Sequence, residues 1–284
     1  MKKIVVLGGY GQLGCELCRQ IGQAALPLGR QDLDITDRDQ VRGILESHGP
    51  SAVINAAAYT QVDRAESERS LCMRVNGDAV EHLATVCGDI GCTLVQISTD
   101  YVFGRDEQRM TPYREVDATG PLSTYANSKL RGEQAAAQYE KHFIVRTCGL
   151  YGPDSRPTQR NFVETVLRIA RERGVLRVVD DQQCTPSYVV DVARAVIFLL
   201  QTGHYGTFHV VNAGATTWFD FAAEALRQAE IPAQLERIST AEYNAPAPRP
   251  AYSVLDTAKY HALGGPTMRR WQEALAAYLD APRE

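Results

Sequence analysis

Lys3-Ile-Val-Val-Leu-Gly8-Gly-Tyr-Gly11-Gln-Leu-Gly14 decides how the rest of the chain is read. A short β-branched run leads into three glycines at three-residue spacing, and a helical pattern follows through Ile21. An apolar run without alternation marks a strand buried on both faces, as in a parallel sheet. At such a junction each glycine has its own use. The first allows the tight turn, the second lets backbone approach a pyrophosphate, and the third lets the helix pack on its strand. The helix N-terminus then offers unpaired N–H groups and a positive dipole end to phosphate. Gly8, Tyr10, Gly11 and Gly14 are therefore candidate cofactor residues.

The pattern continues outward from this turn. A weakly marked second strand, residues 24–29, ends at Arg30, where an acid for a ribose 2′-hydroxyl often stands. A guanidinium there suits a 2′-phosphate; it is equally the pattern of a solvated loop arginine. Thr36 or Asp37 can cap the next helix, which runs to Ser47. Residues 51–58 form a buried strand whose end, Ala56, Ala57 and Ala58, is small enough for a cofactor to lie close. One helix is expected over residues 67–88, with Asn76 in its middle either on the surface or bonded to backbone near the site. The strand over residues 92–98 carries Ile97 near its end and runs into Ser98-Thr99-Asp100-Tyr-Val-Phe-Gly104. Ligands of open α/β sheets bind outside the carboxyl ends of strands, so a hydroxyl there is placed to meet a substrate.

Tyr125-Ala-Asn-Ser-Lys129 follows, at a helix start that Ser123 or Thr124 can cap. Residues four apart share a helix face, so phenol and ammonium project together. A neighbouring cation favours the phenolate and is expected to draw the phenol down from about 10. The same spacing also fits a packed tyrosine beside a solvated lysine. A further strand spans residues 141–147. Beyond it the rhythm loosens. Helices are expected over 160–172, 188–200, 218–229 and 267–279, and strands over 176–179 and 207–212, the last returning to the main sheet.

The pattern predicts an α/β fold: a Rossmann-like doubly wound parallel sheet with a smaller C-terminal substrate-binding lobe. Residues 1–150 and 185–212 would form the dinucleotide-binding domain, and residues 151–184 and 213–284 the lobe. The 284 residues, 44% hydrophobic and 23% charged, are enough for a large core. A net charge of −4 with no basic run argues against nucleic acid as a partner. No apolar stretch is long enough to span a membrane; the longest, near residues 189–200, is broken by Asp191 and Arg194. Seven scattered cysteines suit reduced thiols and a cytoplasmic location. Cys15-x-x-Cys18 lacks the second pair a zinc site needs and reads as small helix residues.

Together these motifs resemble the extended short-chain dehydrogenase/reductase superfamily and, within it, the dTDP-4-dehydrorhamnose reductase family. The resemblance rests on Gly8-x-x-Gly11-Gln12-x-Gly14, Asn55-Ala-Ala-Ala58-Tyr-Thr, Val62-Asp-x-Ala-Glu66, Ser98-Thr-Asp-Tyr-Val-Phe-Gly104 and Tyr125-x-x-x-Lys129-x-x-Gly-Glu133. It extends to Arg249-Pro250 with Ser253-x-Leu255, so it covers nearly the whole chain. It implies reduction of a 4-keto group on a nucleotide-linked deoxysugar by NADPH or NADH. Tyr125 would be the proton donor, Lys129 the residue that holds the nicotinamide ribose, and Thr99 the hydroxyl that polarises the carbonyl. Gly11, Gln12, Leu13, Asp34, Ile35, Ala58, Tyr59 and Thr60 would touch the cofactor, and Thr99 and Asp100 the substrate.

Two positions stand apart. Arg249 is a candidate phosphate contact or a rim residue. Gly149 stands where rhamnose-pathway members often carry Trp, so a wall of the sugar site is missing unless Tyr151 or Tyr188 moves in. The resemblance leaves a homodimer and Mg²⁺ at a subunit contact open, and the sequence shows no metal-ligand cluster. It also leaves open another nucleotide-sugar reductase or an epimerase. A further alternative is a non-catalytic regulatory subunit like that of methionine adenosyltransferase.

Overall fold

The structure, a computed structural model, describes residues 2–153 and 161–281. Its first half alternates as expected: β1 (Ile4–Leu7), α1 (Gln12–Ile21), β2 (Ala25–Leu28), α2 (Arg38–His48), β3 (Ala52–Asn55), α3 (Arg69–Met73), α4 (Ala79–Ile90), β4 (Thr93–Thr99), α5 (Thr124–Ala136) and β5 (His142–Thr147). The second half adds α6 (Phe162–Arg173), β6 (Val175–Val179), β7 (Gln183–Cys184), α7 (Val189–Thr202) and β8 (Gly206–His209). After these come β9 (Thr216–Thr217), α8 (Trp218–Gln228), β10 (Gln234–Ile238), α9 (Thr240–Tyr243), α10 (Ala258–Ala262) and α11 (Trp271–Leu279).

The main sheet has the order β2-β1-β3-β4-β5-β8, and every neighbouring pair is parallel. The order reverses between β1 and β3, which opens a crevice at the carboxyl ends of the strands. Both faces are covered. Leu17 of α1 and Val192 and Val196 of α7 pack with Val6, Ile97 and Val145 on one face. Val41 and Leu45 of α2 and Leu83 of α4 pack with Val5, Val53 and Leu94 on the other. The first cluster runs on without a break into α6, α8 and α11.

Three expectations need correction. The helix over residues 67–88 is not continuous, because a π-helical turn, Arg74–Asp78, separates α3 from α4. That turn brings Asn76 inward, where it bonds backbone, the second of the two readings its position left open. In the smaller lobe the expected strand β6 pairs in parallel with β10, and β7 pairs antiparallel with β9; the hydrophobic pattern did not mark β7, β9 or β10. The closing helix starts at Trp271 rather than 267, after a Pro266-containing loop. The expected helix start at Arg160 lies outside the described residues.

Candidate active site

The catalytic helix α5 begins where two caps coincide. Ser123 accepts from the Ala126 N–H, and the Thr124 N–H and hydroxyl donate to the two Glu66 oxygens at 2.8 Å each. This fixes the helix start against the loop after β3 and sets Tyr125 and Lys129 one turn apart on α5. The Lys129 ammonium is 3% exposed and donates to the Ile97 carbonyl at 2.7 Å. Thr99, the last residue of β4, caps the following turn by accepting from Tyr101 N–H. Its hydroxyl donates to Asp100 at 3.1 Å and also meets the Tyr125 phenol. The three candidate catalytic residues therefore meet at the carboxyl end of β4, with the Tyr101 ring set edge-on to Tyr125 at 6.2 Å.

The electrostatics differ from expectation. Burial, then the Asp100 carboxylate, push the Tyr125 phenol above its ordinary value, while the bond with Thr99 pulls the other way. Lys129 is not among the largest influences on it, and its ammonium is directed at the Ile97 carbonyl. The phenol is thus held protonated at neutral pH, the state a proton donor requires. Burial brings the lysine itself down to about 8, opposed by the nearby Glu133 carboxylate. Because kcat/KM reports the free enzyme, it is expected to fall above about pH 8 as Lys129 loses its charge. A profile flat to about pH 10 would separate that charge from the reaction. Stability runs the other way. The unfolded chain binds the extra proton between about 8 and 10.5, so this group favours folding more as pH rises through that window.

The dinucleotide turn has the geometry its glycines imply. Gly8 has φ +72°, and a Cβ there would lie 2.7 Å from the Ala57 nitrogen. A Cβ on Gly14 would lie 2.0 Å from the Gly8 carbonyl oxygen, so α1 reaches its strand only with hydrogen at that place. Gly11 caps α1, Gln12 donates to the Gly152 carbonyl at 2.8 Å, and Leu13 is buried in the core. The Tyr10 ring lies over Gly29, and its hydroxyl meets Asp32. Arg30 is exposed just past β2, and its charge reaches Asp34. Asp34 accepts from the Thr36 N–H and hydroxyl, which hold its carboxyl below the usual range. Ile35 is buried. Ala56, Ala57, Ala58 and Tyr59 are half-buried and Thr60 is exposed, beside the turn. This cradle, closed to a Cβ at Gly8, Gly9 and Gly14 and set at the N-terminus of α1, fits a dinucleotide.

Asn76 ties the two sides together. It accepts from Tyr59 N–H at 2.8 Å, donates to the Tyr59 carbonyl at 3.0 Å and donates to Ser128 Oγ at 2.9 Å. Ser128 in turn donates to the Tyr125 carbonyl at 2.7 Å. The sequence left open that Asn76 bonds backbone near the site, and the Tyr59 bonds bear that out; it gave Ser128 no role, because the link depends on the π-helical turn.

On the substrate side the outcomes are mixed. The Asp100 side chain is 1% exposed, and both its oxygens are engaged, by Thr99 and by Ser253 at 2.6 Å. The Arg249 guanidinium grips Asp63 with two nitrogens at 2.9 Å and donates to the Ala247 carbonyl. It joins the loop after β3 to the Pro-rich segment; its five N–H groups outnumber these acceptors. Gly149 has φ +48°, and a Cβ there would meet Trp218 Cη2 at 2.9 Å and Pro186 Cα at 3.2 Å. The aromatic beside it is therefore Trp218, at the start of α8. Tyr151 and Tyr188 are packed into the core and do not fill this place.

A doubly wound parallel sheet with a Tyr-x-x-x-Lys helix at the end of its fourth strand defines an extended short-chain dehydrogenase/reductase. The RmlD substrate binding domain model matches residues 1–283. A dTDP-4-dehydrorhamnose reductase of Streptomyces griseus is 39% identical over 98% of this chain and 93% of that protein. A dTDP-4-keto-6-deoxy-D-glucose reductase of Streptomyces niveus is 36% identical over 95% and 94%. The crystal structure of dTDP-4-dehydrorhamnose reductase from Bacillus anthracis in complex with NADP superposes with a TM-score of 0.93 at 36% identity, covering 98% of both chains. The chain belongs to the dTDP-4-dehydrorhamnose reductase family.

Proposed function

We propose that this protein reduces the 4-keto group of a nucleotide-linked 6-deoxy sugar, most directly dTDP-4-dehydrorhamnose to dTDP-L-rhamnose. The observation that carries the reading is the meeting of the Tyr125 and Thr99 hydroxyls, with Lys129 on the same helix, at the carboxyl end of β4. NADPH or NADH, when bound, supplies the hydride to the carbonyl carbon. Negative charge then builds on the carbonyl oxygen. Tyr125 gives it a proton, Thr99 donates to it while it forms, and Lys129 orients the nicotinamide ribose. Residues 1–150 and 185–212 hold the cofactor in this reading, and residues 151–184 and 213–284 hold the sugar nucleotide. Among the described residues no group of three His, Cys, Asp or Glu is placed to hold a metal ion, and no helix is long and apolar enough to cross a membrane. The direct test is cofactor oxidation with a panel of 4-keto nucleotide sugars. Absence of turnover on every member would reject the reading.

Two expectations follow for selectivity. Arg30→Ala is expected to weaken NADPH binding by roughly 1.5–3 kcal/mol, the worth of a charge-assisted hydrogen bond, and to leave NADH unchanged. Titration of both cofactors by nicotinamide fluorescence checks this; equal effects on the two would remove Arg30 from phosphate recognition. Trp218→Ala removes the aromatic beside Gly149, where ring faces bury about 150–250 Å². Discrimination among 4-keto sugar stereoisomers is expected to relax by roughly 10-fold, with NADPH affinity intact. Unchanged ratios of kcat/KM across the panel would place Trp218 outside the sugar site. Gly149→Trp is a poor converse test, because the positive φ and the Trp218 ring both oppose a side chain there.

A further inference from the structure

Asp100 is engaged from three separate parts of the chain. Thr99 of β4 donates to Oδ1, Ser253 of the C-terminal segment donates to Oδ2, and the Cys148 thiol, one residue beyond β5, also bonds it. Ser253 is 2% exposed and is fixed by its own backbone. Its N–H donates to the Gln183 carbonyl of β7, the Gln183 N–H donates to Ala251, and the Tyr113 N–H donates to Val254. The segment 251–255 is thereby strung between β7 and the loop that follows β4. Where this segment sits decides where the Asp100 carboxylate sits, and the carboxylate in turn fixes the position of the Thr99 hydroxyl.

We propose that Asp100 is a positioning residue, clamped by Ser253, that sets the Thr99 hydroxyl and so couples the reaction at β4 to the seating of the C-terminal lobe. This rests on the reductase reading above. Its side chain acts through Thr99, since both of its oxygens are engaged by Thr99 and Ser253. Burial first, and then the charge of this same carboxylate, raise the Tyr125 phenol. Burial raises the Asp100 carboxyl to about 6, against the pull of Ser253, Cys148 and Thr99. The other titratable and charged groups around it are Tyr101, Tyr125, Cys184, which bonds Cys148, and Arg249, whose charge is felt at Tyr101.

The test compares wild type, Ser253→Ala, Ser253→Thr and Asp100→Asn in NADPH-dependent reduction of a 4-keto-6-deoxy nucleotide sugar across pH 5–9. Ser253→Ala is expected to lower kcat roughly 10- to 100-fold, the scale of a displaced catalytic group, with KM for NADPH unchanged. Its acid limb should move to higher pH, because a donor that favours the carboxylate is gone. Ser253→Thr keeps the hydroxyl and should restore both kcat and the limb. Asp100→Asn should lose the limb altogether. Wild-type kcat and an unmoved acid limb in Ser253→Ala, or an acid limb retained in Asp100→Asn, would overturn the role of Asp100 and leave the reductase reading standing. A wild-type protein inactive on every sugar would overturn the reading and this role with it.

Discussion

Tyr125→Phe is expected to lower kcat by about 10²- to 10⁴-fold, the usual loss when a general acid is removed. NADPH affinity should stay as it is. The ring is held by contacts that phenylalanine retains, including the edge-on Tyr101 ring at 6.2 Å and the helix whose start is capped by Ser123 and Glu66. Only the hydroxyl is lost, and with it the bond to Thr99. Thr99 then still donates to a developing oxyanion but cannot supply the proton, so hydride transfer is left without its partner step. Single-turnover nicotinamide absorbance separates this from a binding defect. Full activity in the variant would sink the assignment of Tyr125 as the acid.

Glu133→Ala is expected to lower stability by about 3–5 kcal/mol, because it leaves a buried guanidinium without its counter-charge. Glu133 and Arg146 are 5% and 6% exposed and pair at 2.8 Å, with a second contact at 3.0 Å. Ser98 adds a 2.5 Å bond to the same carboxylate, so α5 is tied to both β4 and β5. Arg146 also lies over the Phe103 ring at 5.0 Å. Its other acceptors, the Glu115 carbonyl at 3.5 Å and the His209 ring at 3.4 Å, cannot compensate. Burial, then Arg146 itself, bring His209 down to about 3, so the ring is neutral. The His209 Nδ1–H is taken by the Asp256 carbonyl at 3.0 Å, which turns the Nε2 lone pair toward Arg146. Two long, neutral contacts would stand in for a carboxylate. Thermal unfolding should shift down by roughly 10 °C. Glu133→Leu with Arg146→Met should recover most of the loss, since removing both charges avoids the orphan. An additive double variant, as unstable as the two singles summed, would contradict this account.

What the sequence made legible was whatever short spacing controls. The glycine turn is a local instruction, and Gly8 and Gly14 carry it out by letting backbone come within van der Waals contact. Tyr125 and Lys129 share a helix face by period alone, and Ser123 caps that helix as its type suggests. What stayed hidden depends on residues far apart in the chain. Ser253 meets Asp100 across 153 positions, and Arg249 meets Asp63 across 186. No periodicity reports such pairs. The phenol was expected to move down because proximity to an ammonium is visible in sequence, whereas burial and the direction of the ammonium toward Ile97 are not. The π-helical turn was missed because its one breaker, Gly77, reads as a single tolerated glycine inside an otherwise helical pattern. Strand β10 was missed because Gln234-Leu-Glu-Arg-Ile238 is largely exposed and carries little apolar signal.

The strand order has a consequence for synthesis on the ribosome. The outer strand β8 pairs with β5 but is made only after α6, β6, β7 and α7. Roughly 60 residues separate β5 from its last neighbour, several seconds of translation at about 5–20 residues per second. During that interval the β5 edge, Phe143-Ile-Val-Arg146, presents unpaired backbone groups and apolar side chains to the cell. The nascent chain is therefore most open to chaperone capture, or to pairing with a neighbour on the same polysome, in the window just before His209 emerges from the exit tunnel.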